Sequence, residues 1–547
     1  MLKSLAVSAL AFCGFVGGMA HAAEILPGYD YPYADPWLAT ASVALLKDPK
    51  LPEKQVKDLT IYPARARTPL FDDKAQVYYV TYRQERPADL VVLISGLGSV
   101  AEDPLALYLG GRLFADGYNV LVVPDAFNWQ FALGASRSGY PGVPSLDAAD
   151  LETFIVRARD HAVRVDGMKI RQTKLVGYSM GALESAFLAA REAQNPRIKF
   201  DKVVLLNPPV DTFYDLHQLD ALAETGKDWS PEEKKTVKAR AFDLVANANL
   251  TDPEGAPYFT DLAKKNTLTD DQLKFVLFGL FHESLTDVIM VSQQIHDEGI
   301  LKTPASKISL DAREKEAGEY GFGDYLEKFV TPELAPGIDL KGETLYGLHD
   351  FLAGHHEVEV FDNADDFLLR PEDVAYLKAT LGNRLTLFPN GGHMGNIWYP
   401  TYQQMLAQAL GRGPVEPAPE PAPPAVATVA APAPADTPPP PPAVAAAPPP
   451  TPAEAVAAAP VPSPTPTTAP DTALSPPGAV SPAGPPVTAA VTPPAPPPVA
   501  GFDPLAPAPS SITTTTTTTT TTPPTLSYPV TIPQIPAATP AEPQPPS

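Results

Sequence analysis

Three residue types at unusual positions suggest covalent chemistry. In KLVGYSMGAL, residues 174 to 183, Ser179 stands between Gly177 and Gly181 at G-x-S-x-G spacing. An apolar run precedes the motif and a helical pattern follows it, with Met180, Leu183, Phe187 and Ala190 on one side. That context gives the motif mechanical meaning: a strand that ends on a serine and turns directly into a helix lifts the hydroxyl out of the sheet on a strained backbone. A serine hydroxyl is a poor nucleophile until a base removes its proton, and the base needs a third group to orient it. His393 in FPNGGHMGN suits the base, because it follows the strand-like RLTLF, precedes a final helix and has glycines around it that leave room for the ring. His161, His217, His282 and His296 lie in helical or cap-like stretches, where ordinary structural roles are expected.

For the acid, VFDNADDFLLRPED offers Asp362, Asp365 and Asp366 just past a strand. Asp366 is preferred, since it stands directly before Phe367-Leu368-Leu369; Asp365 is the close rival, and the remaining acid is expected to cap the turn or face solvent. The oxyanion of an acyl-transfer reaction needs fixed donors. The backbone amides of Met180, after the serine, and Leu97, in ISGLGS after the strand at 90 to 94, are placed for that role. His349, His355 and His356 gather near Asp350 and Glu357, but the spacing fits no common metal template, and no metal or other cofactor is implied.

The elements that must position these residues alternate. AQVYYVTYR (75 to 83), DLVVLISG (89 to 96), YNVLVVPD (118 to 125), TKLVGY (173 to 178), DKVVLLNPP (201 to 209), HEVEVF (356 to 361) and RLTLF (384 to 388) read as strands. Several are continuous apolar runs of the kind covered on both faces. Helical patterns intervene near 101 to 116 and 147 to 165, after Ser179, after Pro371 and at the end, so the pattern predicts a mostly parallel sheet with helices on both faces. After Asp211 helices dominate for more than a hundred residues. Ser230-Pro231-Glu232-Glu233 and Thr269-Asp270-Asp271-Gln272 are helix starts, and the second opens LKFVLFGLF, apolar nearly all round, which must be covered on several sides or lie over an apolar cavity.

The order Ser179, Asp366, His393, with G-Y-S-M-G at a strand-to-helix turn and S-G-L-G after the third strand, resembles the α/β-hydrolase superfamily of serine esterases and lipases over residues 75 to 410. Ser95 departs from the histidine that many relatives carry there. The resemblance implies an eight-stranded, mostly parallel sheet, a Ser-His-Asp triad and an acyl-enzyme. It also implies a core in two parts, 23 to 210 and 343 to 412, with a helical cap, 211 to 342, inserted over the active site. The function implied is hydrolysis of a carboxylic ester or related acyl bond, on a small-molecule or lipid-like substrate. Amidases, haloperoxidases and C–C hydrolases share the fold. The aromatic stretch DAFNWQFALG, 125 to 134, is open to two readings, an apolar substrate surface or packing for the cap.

The termini are different polymers. MLKSLAVSALAFCGFVGGMAHAAE reads as a secretory signal peptide over residues 1 to 22, which points to a periplasmic or secreted protein. Cys13, the single cysteine, lies inside it; Leu10-Ala11-Phe12-Cys13 partly resembles a lipoprotein processing site, but the bulky Phe12 and the very short leader argue against one. From Gly413 to Ser547 the chain holds 44 of its 68 prolines with mostly Ala, Thr, Val and Ser, a composition that cannot bury enough apolar surface to order itself. This tail could bring an enzyme to an envelope or an insoluble substrate, or serve as a spacer in a binding and tethering protein whose body is only hydrolase-like. The net charge of −23 argues against nucleic acid as a ligand.

Overall fold

The computed structural model describes residues 25–46, 52–65, 76–247, 268–296 and 298–411. The leader and the proline-rich tail lie outside the described residues. Eight strands form one sheet: β1 Gln55–Asp58, β2 Tyr78–Tyr82, β3 Ala88–Ile94, β4 Asn119–Val123, β5 Ile170–Tyr178, β6 Lys202–Leu206, β7 Val358–Asn363 and β8 Leu385–Phe388. Their order is β1-β2-β4-β3-β5-β6-β7-β8. β2 runs antiparallel to β1 and β4, and all other pairings are parallel. With helices on both faces, this is the α/β-hydrolase arrangement. β1 and the short helix α1, Pro36–Ser42, come before the first element anticipated from sequence.

Pleating divides each apolar strand between two cores. In β3, Leu90, Val92 and Ile94 pack on one face with Leu151, Phe154 and Ile155 of helix α4 (Pro144–Arg164) and Leu183 and Phe187 of helix α5 (Met180–Gln194). Val91 and Leu93 pack on the other face with Leu105 and Leu109 of helix α2 (Pro104–Ala115) and with Tyr402 and Leu406 near the end of the described chain. A strand stretch buried on both faces has to be apolar at every position, which is why residues 90–94 of β3 and 203–206 of β6 read as unbroken runs.

The stretch at 125 to 134 holds a short helix, α3, Trp129–Gly134: Phe127 packs with the helices that follow β6 and lines the cavity beside Ser179, whereas Phe131 is sealed in the main core, which neither reading above foresaw. Between β6 and β7 come helices α6 Thr212–Ala223, α7 Pro231–Asn247, α8 Asp270–Ile295, α9 Leu310–Ala317, α10 Phe322–Tyr325 and α11 His349–Gly354. α7 begins on a capping box, with the Glu233 N–H donating to Ser230 Oγ (3.2 Å) and the Ser230 N–H to Glu233 Oε2 (2.7 Å); Thr269 and Gln272 make the same pair at α8.

α8 is long and apolar enough to cross a bilayer, but here its apolar residues are used in packing. Leu285, Val288 and Ile289 form a separate core with Leu219 and Leu222 of α6 and Phe322, Tyr325 and Phe329. This helical layer is tied to the sheet body at the loop before α4: Ser292 Oγ donates to Gly139 O (2.8 Å) and Tyr325 Oη to Pro141 O (2.9 Å). The Leu345 N–H donates to Val210 O (3.1 Å), closing the excursion where it began. Helices α12 Pro371–Leu381 and α13 Pro400–Ala409 follow β7 and β8.

Candidate active site

Ser179 ends β5 and begins α5 with φ 55 and ψ −128. The glycines beside it permit the close approach that this turn requires. A Cβ on Gly177 would meet Gly181 O at 2.1 Å, and one on Gly181 would meet Ser95 O at 2.0 Å, both backbone atoms that cannot give way. Among the described residues the non-glycine residues with positive φ are Ser179, Asn207 and Met394, all at the crest of the sheet. Such backbone is costly unless its surroundings hold it, and it gathers where a side chain must be aimed.

The structure brings the three sequence-selected residues into one line. Ser179 Oγ lies 2.8 Å from His393 Nε2, and His393 Nδ1 lies 2.8 Å from Asp366 Oδ2. With Nδ1–H donating to the carboxylate, Nε2 is left as the acceptor for the serine proton. Of the rival acids, Asp365 accepts the N–H groups of Gly391 (3.2 Å) and Gly392 (2.9 Å), and so holds the histidine loop rather than the ring. Asp362, expected to cap a turn or face solvent, is fully buried. It accepts from Asn207 Nδ2 (3.0 Å) and the Asn363 N–H (2.8 Å), and burial, reinforced by the neighbouring Asp366, pushes its carboxyl well above the usual range.

Several supports were not anticipated from sequence. Asn207, just past β6, donates its amide to Asp366 Oδ2 (3.0 Å) as well as to Asp362, and the Leu368 N–H donates to Asp366 Oδ1 (3.0 Å). The N-terminal segment supplies the back of the histidine loop: the His393 N–H donates to Thr40 Oγ1 (2.8 Å), and Thr40 donates in turn to Pro36 O (2.7 Å). Gly392 is therefore required less to free the imidazole than to admit α1, because a Cβ there would sit 2.2 Å from Pro36 O. Asn363 and Asn396 exchange amide hydrogen bonds and tie the loop to the end of β7. A clue to the α1 contact was the pair of glycines itself; nothing local marks Thr40.

The amides of Leu97 and Met180 donate to no group among the described residues. Both residues line the cavity that Ser179 and His393 face, so the two N–H groups are available to an oxygen bound there. The Leu97 loop is fixed from below. Asp125 Oδ1 accepts the N–H groups of Gly98 (3.1 Å) and Phe127 (2.8 Å), while Asn128 Nδ2 donates to Gly98 O (2.9 Å). Ser95 is buried and donates to Val123 O (3.1 Å). Glu184 accepts the Ala126 N–H (3.2 Å) and Asp147 that of Gly142 (2.7 Å). Burial pushes the carboxyls of Asp125, Glu184 and Asp147 upward, so this acid cluster holds protons that exposed carboxylates would release.

The cavity has apolar walls, with Phe127 and Leu97 below and Leu219, Phe281 and Tyr325 from the helical layer. The remaining histidines lie elsewhere: His161 Nδ1 meets Tyr79 Oη (3.2 Å), His282 Nε2 the Tyr320 carbonyl (3.2 Å) and His296 Nε2 that of Ser138 (2.6 Å). His355 bonds Glu357 through Nδ1 (2.7 Å). Among the described residues no cluster of His, Cys, Asp and Glu has the arrangement of a metal site.

No protein-family model and no curated protein sequence matches the chain. Similar solved structures include the thioesterase domain from the curacin biosynthetic pathway, at 15% identity over 66% of this chain and 100% of that one, TM-score 0.29. Another is brefeldin A esterase, described as a bacterial homologue of human hormone-sensitive lipase, at 15% identity over 70% and 84%, TM-score 0.31. A third is a hyperthermophilic esterase from the archaeon Pyrobaculum calidifontis, at 16% identity over 68% and 88%, TM-score 0.32.

Proposed function

We propose that this protein is an exported serine hydrolase that cleaves carboxylic esters with a sizeable apolar portion through an acyl-enzyme. The observation that carries the reading is the bonded line from Ser179 Oγ through His393 to Asp366, 2.8 Å at each step, opening on one apolar cavity. His393 Nε2 takes the proton as Ser179 Oγ bonds the ester carbonyl carbon, and the Leu97 and Met180 amides hold the oxyanion. The protonated imidazole then gives its proton to the departing alkoxide as the carbon–oxygen bond to the alcohol breaks. Water attacks the acyl-enzyme with His393 again as base, the free acid leaves, and the proton returns to Ser179. Asp366 keeps the ring in the working tautomer throughout. Each oxyanion donor contributes about 10²–10³ in kcat in comparable sites.

Export rests on the leader sequence, and the apolar walls of the cavity support an ester whose larger group is hydrocarbon. A panel of p-nitrophenyl esters of graded acyl length tests the proposal. The wild type should turn them over, with kcat/KM rising as the chain fills the cavity, while Ser179→Ala should fall to the background rate. Equal turnover by the wild type and Ser179→Ala would remove the proposal.

A further inference from the structure

One residue among the apolar lining of the cavity is an acid. Asp215, in the first turn of α6, is 4% exposed and has no hydrogen-bonding partner for either carboxyl oxygen among the described residues. Buried polar atoms are nearly always satisfied, so a carboxyl group with both oxygens bare calls for a reason. Capping does not supply one. α6 is already capped by Asp211, whose Oδ1 accepts the N–H groups of Phe213 (3.2 Å) and Tyr214 (3.4 Å). Nor does ion pairing: Arg370, the nearby cation, donates to Asp211 Oδ2 (2.7 Å) and Asp373 Oδ2 (2.9 Å).

We propose that Asp215 is a specificity-determining residue that hydrogen-bonds a hydroxyl group carried by the otherwise apolar ester. The inference rests on the ester-hydrolase reading of the same site and adds the chemistry of its substrate. A hydroxyl fits because the carboxyl at this wall is held toward its protonated form. Burial first, then the neighbouring Asp366, Asp373 and Asp211, push the Asp215 carboxyl well above its usual range. Its O–H can then donate and its C=O accept, and a hydroxyl both accepts and donates. An ammonium would need the ionised acid, which this surrounding opposes. Sites built to bond a substrate hydroxyl discriminate strongly, because the analogue lacking it leaves the buried polar group bare.

The test uses the purified full chain and three matched sets of p-nitrophenyl esters: plain acyl, the same acyl with a hydroxyl at successive positions, and the same acyl with an amine at those positions. The readout is the ratio of kcat/KM within each variant, so every variant serves as its own reference. In the wild type one hydroxyl position should be favoured over the plain ester by about 10- to 100-fold. Asp215→Leu should bring that ratio to about one and raise Tm, since it removes a buried unpaired polar group; Asp215→Asn, which keeps a donor and an acceptor, should retain part of the preference. A wild type without preference at any hydroxyl position, a preference that survives Asp215→Leu, or a preference for the amine ester would each overturn the assignment. So would a fall in Tm or failure to fold in Asp215→Leu, which would make the carboxyl structural. If plain esters are turned over without discrimination, only this inference falls; if no ester is turned over, the hydrolase reading falls with it.

Discussion

Asp366 and Asp215 are the same side chain, each 4% exposed; Asp215 belongs to the cavity lining, while Asp366 lies behind His393. Asp366 is saturated: His393, Asn207 and the Leu368 amide all donate to it. Asp215 receives nothing from the described protein. The difference separates two jobs for a buried acid. The sheet side fixes a carboxylate with every donor in place before a substrate arrives, so its geometry costs nothing at the moment of reaction. The helical side leaves its acid to be satisfied by what binds.

Removing the saturated acid should have the largest effect. Asp366→Asn should lower kcat by about 10⁴-fold, since the ring then loses the acceptor that sets its tautomer. A fall of only a few fold, measured on a short p-nitrophenyl ester, would show that Asp366 is no better engaged with the reaction than its neighbours.

Asn207→Leu sharpens the comparison by removing one donor and leaving the acid. It should cost about 1–3 kcal/mol in stability by strand-end unpairing of Asp362 and Asp366, and lower kcat by about 10- to 100-fold with a smaller change in KM. Denaturant melts and steady-state kinetics on the same variant check both parts.

Thr40→Val acts one step further out, on the backbone of the histidine loop. The lost acceptor for the His393 N–H should lower Tm and reduce kcat by about 10-fold, an effect of about 1.4 kcal/mol. If kcat is unaffected, α1 merely covers the loop and does not place it.

Buried acids with raised carboxyls show themselves in the pH dependence of stability rather than in catalysis. Burial, with Glu283 and Glu314 beside it, pushes Asp287 up to about 7, and Asp125, Glu184 and Asp215 are raised as well. An acid whose folded value is raised keeps its proton in the native state after the unfolded chain has released it. Stability should therefore be fullest below the ordinary carboxylate range, as far as these groups decide it, and fall as pH rises through that range to about 7. The slope is about 1.4 kcal/mol per pH unit for each retained proton. Urea midpoints between pH 5 and pH 7 measure it, and Asp215→Leu should flatten the slope.

What the sequence disclosed, it disclosed through local pattern. Ser179 could be singled out because an apolar run, two glycines and a helical period meet at one residue, and His393 because a strand and a helix bracket its loop. Asp366 could be ranked above Asp365 only by its place before Phe367, and the geometry separates them by what each accepts, a ring N–H or two backbone amides. Thr40 could not be found in this way. It lies 353 residues from the backbone it holds, in a segment with no period that pairs it with His393. Asn207 followed a strand like many asparagines, and its positive φ and double donation exist only once β6 and β7 lie side by side. Asp215 looked like any acid in the first turn of a helix, the place where acids are ordinarily favoured; its bare oxygens are a property of packing.

The central claim, that Ser179 is a nucleophile activated by His393, is tested most directly by covalent labelling. Fluorophosphonate should modify the wild type at one site, on the peptide containing Ser179, with no modification of Ser179→Ala and slow modification of His393→Ala. An unlabelled wild type, or a Ser179→Ala variant labelled as fast as the wild type, would contradict it.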